Sequence, residues 1–228
     1  MRVVCFDLDD TLYKEIDYLK SAYKEIASYA VSISCNHNEY CHEIKAYKAM
    51  LEAYYRGGNA FEALNDILGL ELSVSDLLRI YREHIPGISL DDDVRYTLDR
   101  LKSEGILLGI VTDGREQTQW NKIRALGLTE WIDEDCIIIN SSIDCFKPDR
   151  SGYDRMEAAA RSMLGDGQWT FIYVGDNLQK DFICPRQKGW FTICLKDDGR
   201  NIHSQDFSIT PREALPDKVV DSLLDIVV

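Results

Sequence analysis

Val3-Val4-Cys5-Phe6-Asp7-Leu8-Asp9-Asp10-Thr11-Leu12 is an apolar run that stops abruptly at carboxylates and a threonine. The residues before Asp7 suit a buried parallel strand, and the acids then stand at its C-terminal end. Asp7 and Asp9 are two apart, so alternation turns both toward one pocket wherever strand geometry persists. Like charges held this close persist only when a cation or a shared proton offsets their repulsion. The stretch therefore predicts a strand end that carries a metal site.

Asp-x-Asp-x-Thr after an apolar N-terminal strand resembles the first motif of the haloacid dehalogenase-like superfamily, most of whose members are magnesium-dependent phosphatases. The resemblance implies that Asp7 is the nucleophile and Asp9 the general acid and base. The superfamily's dehalogenases need neither the metal nor the second carboxylate, and its transport ATPases carry threonine at that second position. Asp9 accordingly points to hydrolysis of a phosphomonoester.

Three further segments resemble the remaining motifs in family order. Ile106-Leu107-Leu108-Gly109-Ile110-Val111-Thr112-Asp113-Gly114 is a second strand ending in a hydroxyl. The resemblance implies that Thr112 donates to a phosphate oxygen, and that Gly114 lets backbone N–H groups, that of Asp113 included, approach the anion. Phe146-Lys147-Pro148 supplies Lys147, a point charge for the transferring phosphoryl group. Phe171-Ile172-Tyr173-Val174-Gly175-Asp176, followed by Asp181, matches Gly-Asp-x-x-x-x-Asp. Here Asp176 is expected to bind Mg2+ directly, and Asp181 to bind it or orient its waters. Asp7 and the backbone carbonyl of Asp9 complete the protein's share.

Strand-like runs at Arg2–Asp7, Ile106–Thr112, Cys136–Ile139, Phe171–Asp176 and Phe191–Leu195 alternate with helical patterns. That alternation predicts an α/β fold with a doubly wound, mostly parallel sheet, and in such sheets ligands sit at the carboxyl ends of the strands. From about Asp17 to Tyr81 the pattern is helical throughout, broken at Gly57-Gly58 and Gly69, with Pro86-Gly87 marking the return. This resembles the superfamily's helical cap inserted after the first strand, and it sets the expected domains at 1–14 with 86–228 for the core and 15–85 for the cap. Inside it, Cys35, His37, Cys41 and His42 mimic a zinc site, but their spacing fits no zinc pattern and reads as a loop between the first two cap helices. Tyr47, Tyr54 and Tyr55 read as packing residues.

The chain has 228 residues, 45% of them hydrophobic, enough for one main core with a modest insertion. A net charge of −13 and the absence of a basic stripe argue against a nucleic-acid partner. No apolar run approaches the ~20 residues of a membrane span, and without a basic region followed by an apolar stretch at the N-terminus no signal peptide is expected. Seven cysteines without a disulfide framework fit reduced thiols. The expected protein is cytoplasmic, a monomer or weak homodimer, acting on a small phosphorylated metabolite. The stretch Thr112 to Ile123 is similar to that of members close to the N-acylneuraminate-9-phosphatases, so sugar phosphates and nucleoside monophosphates both stand as substrates. Arg115 either reaches a substrate carboxylate or opens the next helix on its solvated face. A phosphomutase and a non-catalytic phosphometabolite-binding regulator are the alternatives, the latter disfavoured because every costly charged residue is present.

Overall fold

A computed structural model describes residues 1–34, 39–165 and 167–227, with the side chains of 39–41 left undescribed. Cys35, His37 and the side chain of Cys41, members of the zinc-like cluster, lie outside the described residues. The chain forms two compact units, Met1–Ile16 with Ser89–Val228, and Asp17–Ile88.

The larger unit is built on a six-stranded sheet in which every pairing is parallel. Its strands are β1 (Arg2–Phe6), β2 (Leu107–Thr112), β3 (Ile137–Ile139), β4 (Thr170–Gly175), β5 (Phe191–Leu195) and β6 (Lys218–Val220), in spatial order β3-β2-β1-β4-β5-β6. The sheet winds outward from β1 in both directions. In a sheet wound this way, the usual right-handed crossovers put the helices of the two halves on opposite faces. The four central residues of this design, Val3, Val4, Cys5 and Phe6, have no exposed surface at all, as expected of a strand covered on both faces. Helices α5 (Asp92–Ser103), α6 (Glu116–Ala125), α7 (Ser151–Leu164) and α8 (Ile183–Gln187) belong to this unit. β6 was not anticipated: three residues, Lys-Val-Val, carry too little periodicity to signal a strand, and pairing with β5 is what makes it one.

The inserted unit is helical, formed by α1 (Glu15–Ile33, which begins in the core), α2 (Glu39–Tyr55), α3 (Ala60–Leu68) and α4 (Val74–Glu83). α3 starts at Asn59, whose side chain accepts from the N–H groups of Phe61 and Glu62, and stops at Gly69 in the left-handed conformation. The last turn of α4 leaves orphan carbonyls. The buried Tyr18 hydroxyl of α1 takes one, donating to the Tyr81 carbonyl at 2.5 Å. Just beyond, the His84 ring contacts Glu25 and lies 2.7 Å from the Ser21 hydroxyl, which also accepts the Gly87 N–H.

Replacing Tyr18 by Phe removes that donor and keeps the packing. We expect Tyr18→Phe to cost about 0.5–1.5 kcal/mol, read as a lower urea midpoint at unchanged slope.

Candidate active site

Strands β1, β2 and β4 are neighbours, so the residues just past their carboxyl ends meet. Asp7 follows β1, and its N–H still donates to Val174 at 2.8 Å, extending the ladder one residue. Lys147, from the loop before α7, is buried, with its ammonium 2.7 Å from Asp7 Oδ1, 2.6 Å from Asp181 Oδ1 and 2.9 Å from the Tyr173 hydroxyl. An ammonium has three donors, and these partners take all three. Tyr173 in turn donates to the Val111 carbonyl at 3.1 Å. Asp181 Oδ2 accepts the N–H groups of Asp176 (3.2 Å) and Asn177 (2.8 Å). Gly175 explains itself here, since a Cβ at that position would stand 2.6 Å from the same oxygen.

Asp7, Asp176 and Asp181 are all buried, and each offers an oxygen within 4.8 Å of the others. Burial, then the charge of Asp181, outweighs Lys147 and pushes the Asp7 carboxyl up to about 6. Asp176 is pushed up to about 9 by burial and by its neighbours Asp181 and Asp7. Burial alone would lower the Lys147 ammonium, but Asp181 and Asp7 raise it well above its ordinary value. One lysine does not neutralise three carboxylates, and an all-oxygen set short of positive charge fits a hard divalent cation. Asn201 adds a donor to Asp176 Oδ2 at 3.0 Å while accepting from Lys14 at 2.7 Å. The segment Asp197 to Asn201, which reads as a surface turn in sequence, thus brings one end to the acidic cluster. Asp197 folds it back by accepting the N–H groups of Gly199 and Asn201.

The Asp9 carboxylate turns away from this cluster. Its Oδ1 accepts from Lys122 at 2.7 Å and Tyr13 at 2.5 Å, and its Oδ2 from Gln119 at 2.9 Å. Burial would raise the Asp9 carboxyl, but Lys122 and the three hydrogen bonds override it and hold the group below its ordinary value. Glu15 also lies 3.8 Å from Lys122, but burial and Asp9 push its own carboxyl up to about 8.

Thr112 is buried, donates to the Asp113 carbonyl and accepts from Gln119 at 2.9 Å. Asp113 accepts from the Asn140 amide (2.8 Å), the Lys147 N–H (3.0 Å) and Lys180 (3.3 Å), so its carboxylate braces the lysine loop. Burial raises that carboxyl, but Lys147 and the Asn140 hydrogen bond bring it below the ordinary value. Gly114 has φ of 116°. Arg115 is exposed at the start of α6. The fold therefore gathers Asp7, Lys147, Asp176 and Asp181, links Asp9 to Thr112 through Gln119, and leaves Arg115 on the surface. Tyr13, Gln119, Lys122, Asn140 and Asn201 escaped the sequence reading. The available signal was Gln119 and Lys122 at i and i+3 beside the apolar Ile123, a polar pair on what proves to be a buried helix face.

The family model for haloacid dehalogenase-like hydrolases matches residues 4–195. The chain is 27% identical over 238 residues to the glyceraldehyde 3-phosphate phosphatase of Methanopyrus kandleri, covering 100% of this chain and 97% of that one. It is 23% identical over 217 residues to the enzyme of the same name from Methanocaldococcus jannaschii, at 90% of each. Among solved structures, the HAD hydrolase YfnB from Bacillus subtilis, determined bound to magnesium, superposes with a TM-score of 0.63 at 19% identity over 99% of both chains. The chain belongs to the haloacid dehalogenase-like hydrolases, a family of enzymes in which its curated relatives are phosphatases.

Proposed function

We propose that this protein is a magnesium-dependent phosphomonoesterase that works through an aspartyl-phosphate on Asp7. The observation that carries the reading is the division between two carboxylates two residues apart: Asp7 lies among Lys147, Asp176 and Asp181, whereas Asp9 is held separately by Lys122, Tyr13 and Gln119. A nucleophile and a proton carrier need that separation, because one must reach phosphorus while the other reaches the leaving oxygen.

Asp7, Asp176, the carbonyl of Asp9 and Asp181, directly or through water, would hold the cation. Bound there, Mg2+ would supply charge to neutralise the carboxylates and the phosphoryl oxygens. The chain's own residues do the rest. An Asp7 oxygen forms a bond to phosphorus as the ester P–O bond breaks in line, with Lys147 supplying a positive charge to the phosphoryl group and the Thr112 hydroxyl turning to donate to a non-bridging oxygen. Asp9 gives its proton to the departing alkoxide. It then takes a proton from water, whose oxygen attacks phosphorus and releases inorganic phosphate and free Asp7. The three donors on Asp9 favour its ionised form, so it must carry the proton taken from water in one turnover into the first step of the next, and is in its base form for the second step.

The substrate is a small phosphorylated metabolite. The names of the relatives put glyceraldehyde 3-phosphate ahead of N-acylneuraminate 9-phosphates and nucleoside monophosphates. No helix among the described residues is long and apolar enough to cross a membrane, and the described cysteines are free and buried. The free thiols fit a reducing compartment such as the cytoplasm.

Asp7→Asn is expected to abolish phosphate release from p-nitrophenyl phosphate and from glyceraldehyde 3-phosphate. Near-normal turnover would sink the nucleophile assignment. Chelation is expected to silence the enzyme and magnesium to restore it, read on the same assay.

Stability gives an independent check. Asp176 rises from 3.8 to about 9, and Asp7 from 3.8 to about 6, in the metal-free protein. The folded state then keeps protons that the unfolded chain releases from about pH 4 upward. These carboxyls therefore contribute stability in full below the unfolded value, and that contribution is lost as pH rises, through about 6 for Asp7 and about 9 for Asp176. A bound cation removes this loss, so the magnesium-induced rise in Tm should grow from pH 5 to pH 8.5. A shift independent of pH would remove these carboxylates as ligands.

A further inference from the structure

We infer that Gln119 and Lys122, one turn apart on α6, are positioning residues that fix the Asp9 carboxylate for its proton transfers. The inference rests on the phosphatase reading and adds residues to it. Both side chains are almost wholly buried, at 1% and 3% exposure. Burying an amide and an ammonium is costly unless each is well paired, and here the pairing converges on one carboxylate from both sides. Lys122 reaches Oδ1 at 2.7 Å and Gln119 reaches Oδ2 at 2.9 Å, so rotation of the carboxylate about its last bond breaks both contacts at once.

Gln119 does a second job. Its Nε2 also lies 2.9 Å from the Thr112 hydroxyl and 2.7 Å from the Asp113 carbonyl. Two hydrogens facing three acceptors tie the proton carrier on the β1 side to the proposed phosphate-binding hydroxyl at the end of β2. Gly114 leaves room for this: a Cβ there would stand 3.0 Å from Gln119 Cδ, and the backbone φ of 116° suits glycine alone. Thr112 and Gln119 are only seven positions apart. The α6 turn is thus a short bracket whose far end holds Asp9.

A residue that merely holds α6 in place would affect both halves of the reaction alike. A residue that orients Asp9 would not. With p-nitrophenyl phosphate the leaving group departs without a proton, so phosphorylation of Asp7 proceeds while the water step, which needs the base, slows. With an alkyl phosphate such as glyceraldehyde 3-phosphate, both halves need Asp9.

The experiment is rapid-mixing kinetics of the magnesium-loaded Lys122→Met variant. We expect a burst of about one p-nitrophenol per site, then steady turnover reduced by about 10²-fold, the low end of general acid–base contributions. With the alkyl phosphate no burst is expected, and kcat falls with KM little changed. Added to Asp9→Asn, Lys122→Met should cost nothing further, because both act through one carboxylate. If Lys122→Met does not fold, Gln119→Leu carries the same test from the opposite oxygen without removing a charge. Wild-type kcat in both variants, or equal loss on both substrates with no burst, would overturn the inference while leaving the phosphatase reading intact. If the wild-type protein with magnesium releases no phosphate, or if Asp7→Asn remains active, the phosphatase reading falls first and this inference with it.

Discussion

One buried ammonium organises the chemistry of this molecule. Lys147 has no contact with solvent through its side chain, and its three donors are spent on Asp7, Asp181 and Tyr173. Such a group is tolerable only with full compensation, and each partner arrives from a different part of the sheet's carboxyl edge. Asp7 follows β1, Tyr173 lies within β4, and Asp181 follows β4 across a short loop. The ammonium therefore depends on the parallel sheet being closed in the right order. The sheet end, in turn, carries buried carboxylates that would repel one another without it.

The compensation is incomplete. Asp176 is left with burial and like charges around it, which pushes its carboxyl to about 9, whereas Asp9, a few residues from the same strand end, is held below its ordinary value. Under the proposed function, environments that push neighbouring carboxyls in opposite directions would suit them to different tasks. The outer parts of the site serve this arrangement. Asn140 and the Lys147 N–H pin Asp113, Lys180 approaches it, and Asn201 and Thr11 reach Asp176. None of these contacts needs a substrate to form, which is the preorganisation that the proposed function would call for.

Much of this is legible in the amino-acid sequence. The runs Arg2–Phe6 and Phe191–Leu195 are apolar enough to be strands in any context, and Gly69 ends its helix because only a residue at ease with positive φ closes that turn. The strand-end acids Asp7 and Asp176 stand out where apolar runs stop, each with a second acid at short spacing, Asp9 and Asp181. What stayed hidden were side chains whose meaning depends on a distant partner. Lys122 looks like a solvated helix charge until Asp9, 113 residues away, is placed against it. Asn201 looks like a turn residue until Asp176 accepts from it. β6 is a strand only because β5 offers an edge.

The sequence by itself determined the local units: apolar strands that end in acids, the glycine breaks of a helical insertion, and a lysine and a last acid in the order of a known family. These follow from forces acting over a few residues, namely alternation, capping and backbone freedom. Only the tertiary structure decided how the charges are shared. It gave Lys147 to Asp7, 140 residues away, turned Asp9 toward α6, and left Asp113 bracing a loop. The physical reason is that electrostatic partnership depends on separation in space and on burial, and both are set by the order of strands in the sheet.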